Sequence, residues 1–275
     1  MKWAHAACTL LIVIAGQAPL SASEISTEQG GLAVLEARIE AESPPTLQCL
    51  GKSWPVERVK EKYWKGWVGV DLATPAGQYI CQWLASGITL PQNIKVTKGH
   101  FRISRIQVPK RMAEFDSQIL ERIQREVKAL KRTYRLDVEA SPSIEMKHMP
   151  VEGPESTPFG ARRIVNGQPR SPHTGIDIAA PEGTPVIAPL AGRVLYVGNM
   201  YLNGKTVVIG HGRGLVSVLS HMADILVSTN QWVKTGELVG HVGQTGRATG
   251  PHLHWSVRFH EARINPHALL ATAQP

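Results

Sequence analysis

Polar and apolar residues take turns along 33–40, with Ala33, Leu35, Ala37 and Ile39 in one phase and Val34, Glu36, Arg38 and Glu40 in the other. A period of two is that of a strand with one buried face, and Pro44-Pro45 ends it. Short runs follow at 47–50, 67–72, 79–84, 93–96 and 100–108, separated by turn residues. In the last run Phe101 and Ile103 are out of phase with Ile106 and Val108, the mark of a bulge or bend. Several short strands at such spacing predict a small N-terminal β-sandwich of immunoglobulin-like type over 24–110. Trp54, Trp64, Trp67 and Trp83 are expected in its core rather than on a ligand-binding surface.

The period then lengthens. Phe115, Ile119, Ile123, Val127 and Leu130 recur every three or four residues and predict one amphipathic helix. Asp116 near its start and Lys128, Lys131 and Arg132 near its end match the helix dipole. Pro142, Pro150, Pro154 and Pro158 then read as a linker, so 111–153 is taken as a connecting helix with a proline-rich tail. Past it glycine becomes frequent and eight of the eleven histidines lie between His173 and His267, which sets a second domain at 154–275.

The first 23 residues read as an export signal: Lys2 is a basic start, 6–15 is an apolar run, and Ser21-Ala22-Ser23 offers small residues for cleavage. The run is too short to span a bilayer and no later stretch reaches that length, so no stable membrane insertion is expected once the signal is removed. Loss of Lys2 takes the formal net charge from +8 to +7. A basic exported chain suits an anionic polymer such as the cell wall, and equally a membrane surface or nucleic acid, so charge does not choose. Cys49 and Cys81 remain, an even number in an oxidising compartment, and are expected to pair, the alternative being two buried thiols.

The chemistry sits in two stretches. His173-Thr174-Gly175-Ile176-Asp177 lies between Pro172 and Pro181 and holds a glycine, which argues for extended chain. Four residues apart in a strand, the imidazole and the carboxylate share a face. In His252-Leu253-His254-Trp255 both histidines share the face opposite Leu253, Trp255, Val257 and Phe259. Two histidines and a carboxylate make the three-ligand set of a catalytic zinc with its fourth position free for water. The stretch His260-Glu261-Ala262-Arg263-Ile264 begins like a zincin helix but ends in isoleucine where a second ligand belongs. The glycines of 236–250 lack a following helix pattern and a Gly-Lys-Ser/Thr, so they read as tight turns rather than a phosphate loop.

Residues 159–270 resemble the lysostaphin/LytM-like zinc metallopeptidases over their whole length. The resemblance is carried by Phe159-Gly160, Arg162-Arg163, Asn166-Gly167, the Pro172–Asp177 and Ala180–Val186 stretches, and His211-Gly212-Arg213-Gly214-Leu215. It continues through Ser220-His221-Met222, Gly243-Gln244-Thr245-Gly246-Arg247 and Thr249-Gly250-Pro251-His252-Leu253-His254-Trp255. It implies one Zn2+ per chain on His173, Asp177 and His254, with His221 and His252 as catalytic histidines that do not bind the metal. It further implies a mostly-β protein whose C-terminal domain is an antiparallel β-sheet groove, and an exported enzyme, periplasmic or extracellular, that cuts peptide bonds in peptidoglycan. No nucleic-acid partner is implied. Histidine titrates nearest neutral pH, so His221 or His252 would carry the proton traffic; which one is the general base stays open.

Two departures stand out. Leu219 occupies a place where the family commonly has tyrosine, which puts a phenol hydrogen bond to the reacting carbonyl in doubt. Gly210 replaces a frequent aspartate before His211, and His211 is read as structural; His241, His260 and His267 default to surface or core. Two other readings compete: a non-enzymatic activator of cell-wall amidases, and a secreted protease of glycine-rich proteins. The complete set His173, Asp177, His221, His252 and His254 weighs against the first.

Overall fold

The computed structural model describes residues 24–109, 115–139, 144–146 and 148–270, so the signal read in the first 23 residues lies outside the described part. The protein is mostly β, with few helices and distinct N- and C-terminal sheets. Among the described residues no helix is long and apolar enough to cross a membrane.

The N-terminal part holds two sheets. One orders its strands Ile25–Glu28, Ile88–Thr97, Gly77–Ala85, Thr46–Cys49 and Lys52–Trp54; the other orders Leu32–Arg38, Tyr63–Gly69 and Val56–Lys60. Ala33, Leu35 and Ala37 are buried, as their alternation requires, and all four tryptophans are core. The sheets approach closely: a Cβ on Gly66 would run into the Leu47 and Trp83 side chains, so glycine is what lets the strands meet there. Cys49 and Cys81 are bonded, with their Cα atoms 4.3 Å apart. The bond ties neighbouring strands of one sheet, whereas the immunoglobulin bridge joins two sheets.

The run at 100–108 leaves this unit. Its strand Ile103–Ile106 pairs in parallel with Arg162–Val165, which turns at Asn166-Gly167 into Gln168–Pro169. The strand is unbroken from Ile103 to Ile106, with Ile103 exposed on one face and Ile106 half-buried on the other, so the phase break reflects the two faces of one strand rather than a bulge. Asn166 and Gly167 have φ of +50° and +80°, the pair of left-handed residues that a two-residue hairpin demands.

The helix Ser117–Thr133 begins at Asp116, whose carboxylate accepts the Ile119 N–H at 2.8 Å. It packs shallowly: Leu130 and Tyr134 meet Val208, Val216 and Val218 on the outer face of the C-terminal sheet, while Val127 stays exposed. The proline-rich segment is laid into the core instead of hanging free. Ile144, Met146 and Val151 are buried, and the Pro150 and Pro154 carbonyls accept the N–H groups of Ile187 and Ala179.

The C-terminal sheet has ten strands, its main path running Glu155–Thr157, Ile176–Ala179, His252–Phe259, Leu215–Ile225, Gly204–Gly212, Gly192–Met200 and Trp232–Val233. One apolar core continues into it from the N-terminal part. Trp54 packs at a tilt against Phe259 with ring centroids 5.4 Å apart, Asp71 binds the Arg263 guanidinium and backbone, and Asn265 N–H donates to Gly30 O at 2.8 Å.

Candidate metal centre

Asp177 lies directly across the strand pair from His254, and Ala179 from His252. Opposite residues in a ladder share a face, so the register itself sets the Asp177 carboxylate beside the His254 ring. Leu253 and Trp255 are fully buried on the other side, as the alternation in the sequence requires.

His173 arrives by a different route from the one its spacing suggests. The strand starts only at Ile176, so alternation does not carry the imidazole to Asp177. Backbone bonds hold His173 instead: its N–H donates to Ala161 O at 2.9 Å and its carbonyl accepts from Gly160 at 2.8 Å. Gly175 then presses against the neighbouring strand, where a Cβ would strike the Trp255 carbonyl and the His254 ring. Any larger residue there would lift His173 off the site.

His173 Nε2 and His254 Nδ1 lie 2.9 Å and 2.7 Å from Asp177 Oδ1, and 2.9 Å from each other. His173 Nδ1 is 3.0 Å from the Pro158 carbonyl, which can only accept, so a neutral His173 ring turns the lone pair of Nε2 inward. Burial drives His254 down to about 4, with the Asp177 hydrogen bond opposing it. The His173 and His254 rings and the Asp177 carboxylate therefore converge on one point, where a cation would be shared by all three. Burial resists the Asp177 charge, but the adjoining His173 and His254 side chains hold its carboxyl far below the usual range. Among the described residues this is the one group of three or more possible ligands whose donor atoms all lie within 4.8 Å. A His2Asp set of this kind fits zinc. Arg163, half-buried, donates from Nη2 to Asp177 Oδ2 at 3.0 Å and leaves Oδ1 for the centre.

His221 and His252 stand beside it, ring centroids 4.7 Å apart. His252 Nδ1 is 2.8 Å from Gly250 O, and its Nε2 is 3.9 Å from Asp177 Oδ1. His221 Nδ1 is 2.8 Å from Thr245 O. Each carbonyl fixes the tautomer, placing the proton on Nδ1 and the free pair on Nε2. Burial, then the His254 and His252 rings, push His221 down to about 3.

Strand alternation would have hidden His221. Ser220 is the residue opposite His254, so its neighbour should face away. His221 instead has φ +65° at a register shift between Lys205/Met222 and Val207/Leu219, and this turns its ring to the histidine side. Leu219 pairs with Trp255 and is fully buried with it, so position 219 faces the core, away from the centre.

The other histidines are accounted for elsewhere. His211 is buried between Ala191 O and Ser217 Oγ, at 3.0 Å and 2.9 Å. His241 pairs with Asp224 and His267 with Glu155. His260 and Glu261 form a hairpin turn with φ of +45° and +68°, which rules out a zincin helix there. The sequence reading gave no role to Arg163 or Arg247, nor to the strip Ser104, Ile106 and Val108, yet all five line the cleft of about 80 Å³ that holds Asp177, His221 and His252.

The family described as Peptidase family M23 matches residues 171–266, which span His173, Asp177, His221, His252 and His254. The crystal structure of a putative M23 peptidase from Pseudomonas aeruginosa is 33% identical, with a TM-score of 0.71, and the likeness covers 88% of this chain and 94% of that one. The DD-carboxypeptidase/endopeptidase Mpg of Neisseria meningitidis serogroup B is 40% identical over 111 residues, 40% of this chain and 26% of that one. The peptidoglycan DD-endopeptidase ShyA of Vibrio cholerae serotype O1 is 41% identical over 111 residues, again 40% of this chain and 26% of that one. The match thus spans about a quarter of the length of these two relatives.

Proposed function

The chain belongs to peptidase family M23, and from that premise we propose that it is a zinc metalloendopeptidase that hydrolyses peptide bonds in the stems or crosslinks of bacterial peptidoglycan. The observation that carries this reading is the complete constellation: His173, Asp177 and His254 converge on one point, and His221 and His252 flank it in one cleft. Zinc held by the first three supplies polarisation of the scissile carbonyl and an acidified water.

The chain's own residues do the rest. Arg163 keeps the Asp177 carboxylate turned inward. His221 and His252 each commit Nδ1–H to a backbone carbonyl, so each offers Nε2 to take a proton from the attacking water and return it to the leaving amine. Either ring, once protonated, also stabilises negative charge developing on the carbonyl oxygen. The relatives named as peptidoglycan DD-endopeptidases support the substrate class.

Export to the periplasm or cell surface is part of the same reading, supported by the signal-like first 23 residues and by a Cys49–Cys81 bond of the kind that persists in oxidising compartments. We also read the two N-terminal sheets, packed through Leu47, Gly66 and Trp83, as a sandwich of immunoglobulin-like type, and 154–275 as the peptidase domain.

Purified sacculi digested with and without chelator test the proposal. Wild-type protein should release muropeptides whose masses identify the bond cut, and chelator should abolish release. His254→Ala should lose both zinc and turnover, while His252→Ala and His221→Ala should keep one zinc per chain and lose turnover by about 100-fold or more. Chelator-resistant cleavage by a zinc-free protein would refute the mechanism.

A further inference from the structure

We propose that Thr245 is the positioning residue for His221: through its hydroxyl and its carbonyl it holds that histidine's left-handed backbone and its ring in the orientation that leaves Nε2 for the cleft. The inference rests on the peptidase reading above, in which His221 carries a proton at Nε2, and adds the group that keeps the ring there.

Of the histidines gathered at the centre, His221 is the one with a left-handed backbone, at φ +65°. A side chain with a Cβ disfavours that region, and a residue stays there only where its surroundings over-determine it. Two turns do so. From the first, the Asn203 carbonyl accepts the His221 N–H at 2.8 Å, and Asn203 Nδ2 donates to Ser220 Oγ at 3.1 Å. From the second, the Thr245 carbonyl lies 2.8 Å from His221 Nδ1, and Thr245 Oγ1 donates to the Met222 carbonyl at 2.7 Å. Ser220, His221 and Met222 are thus each held, the histidine through backbone and ring both.

The threonine joins the two turns. Its hydroxyl accepts the Lys205 N–H at 2.9 Å while donating to Met222, so it bridges two residues that face each other across the ladder where the register shifts. A hydroxyl has one proton to give and lone pairs to accept with, and here both capacities are used. The two turns are also in contact. A Cβ on Gly204, at φ +63°, would strike the Thr245 hydroxyl and carbonyl, and one on Gly246, at φ +72°, would strike the Gly204 nitrogen and the Leu202 carbonyl. His221 lines the cleft, whereas Thr245 sits behind it. The effect of Thr245 on the reaction therefore passes through the histidine and not through contact with a peptide. Valine has the shape of threonine without the hydroxyl, and would leave the Lys205 N–H and the Met222 carbonyl without their bridge.

The test reads the ring directly. Zinc-loaded protein carrying isotope-labelled histidine is examined by NMR for the nitrogen that bears the His221 proton, the signal being assigned by its loss in His221→Gln. Metal content is measured alongside, with kcat and KM on peptides derived from sacculi. In wild type His221 should carry its proton on Nδ1, slow to exchange, with Nε2 bare. Thr245→Val should keep one zinc per chain, lose that fixed proton, and lower kcat about tenfold or more with little change in KM. Thr245→Ser, which restores the hydroxyl but not the methyl, should recover the signal and most of kcat. A wild-type His221 protonated on Nε2, or exchanging between tautomers, overturns the proposal whether or not the valine variant folds. So does a Thr245→Val protein with wild-type kcat and signal, one that loses its zinc, or a serine variant as impaired as the valine one. A protein that cuts none of the peptides, but whose His221 signal is lost in Thr245→Val and regained in Thr245→Ser, keeps the Thr245 assignment and removes the peptidase reading instead.

Discussion

His211 shows how far a side chain's surroundings can move it without any part in chemistry. Its ring is fully enclosed, bonded to Ala191 O and Ser217 Oγ, and burial lowers it from 6.5 to about 4. The sign follows from linkage: between pH 6.5 and about 4 the unfolded chain binds a proton at this site that the folded one refuses, so stability falls as pH falls through that window. The loss attributable to His211 should approach about 3 kcal/mol at the acid end. Comparing melting temperatures of wild type and His211→Asn from pH 7 to pH 4 isolates it; the variant should show a shallower decline, and parallel curves would contradict the assignment. At this scale the sequence was legible where side chains obey strand periodicity. His252 and His254 show themselves by alternation, because Leu253 and Trp255 need the opposite face. His221 does not, because a left-handed backbone at a register shift breaks the rule that would have located it, and only the resemblance pointed to it.

At the level of elements, the strand Ile103–Ile106 is the largest departure from the sequence reading. Its apolar and β-branched residues fit a sandwich edge as well as a groove wall, and no local pattern says which sheet a strand will join. What decides it is Asn166, from the hairpin turn: Asn166 Nδ2 donates to Val108 O and Asn166 Oδ1 accepts the Val108 N–H, both at 2.9 Å, while Asn166 N–H donates to Ile106 O at 3.0 Å. Together with the Val108–Val165 contact, this clamp holds the strip Ser104, Ile106 and Val108 against the cleft. Asn166→Gly keeps the left-handed turn and removes only the clamp. It should cost about 1–3 kcal/mol of stability, leave zinc binding intact, and raise KM for a peptide substrate more than it lowers kcat. Asn166→Asp, which retains the acceptor but not the donor, should fall between the two. Unchanged KM in Asn166→Gly would mean the strip does not touch substrate.

Across the whole molecule, the prolines at 142, 150, 154 and 158 read as a linker between two domains, but composition does not register that Ile144, Met146 and Val151 are buried. Trp54 on Phe259, Asp71 on Arg263 and Asn265 on Gly30 join the N-terminal sheets to the strands that end the zinc sheet. The Cys49–Cys81 bond closes a 32-residue separation, and in the chain-entropy account such a loop stabilises by roughly 3–4 kcal/mol. In two independent halves that stabilisation would stay in the N-terminal one. With a continuous core it is shared, because unfolding the N-terminal sheets strips Trp54 from Phe259 and exposes the end of the strand that carries His252 and His254. Reduction, or the Cys49→Ser/Cys81→Ser pair, should therefore lower a single cooperative transition by roughly 10 °C, with zinc released along the same curve. Calorimetry with a zinc-sensitive dye measures both at once. Two resolved transitions, the upper one unmoved by reduction and carrying the zinc, would show instead that the interface around Trp54 is too weak to couple the sheets.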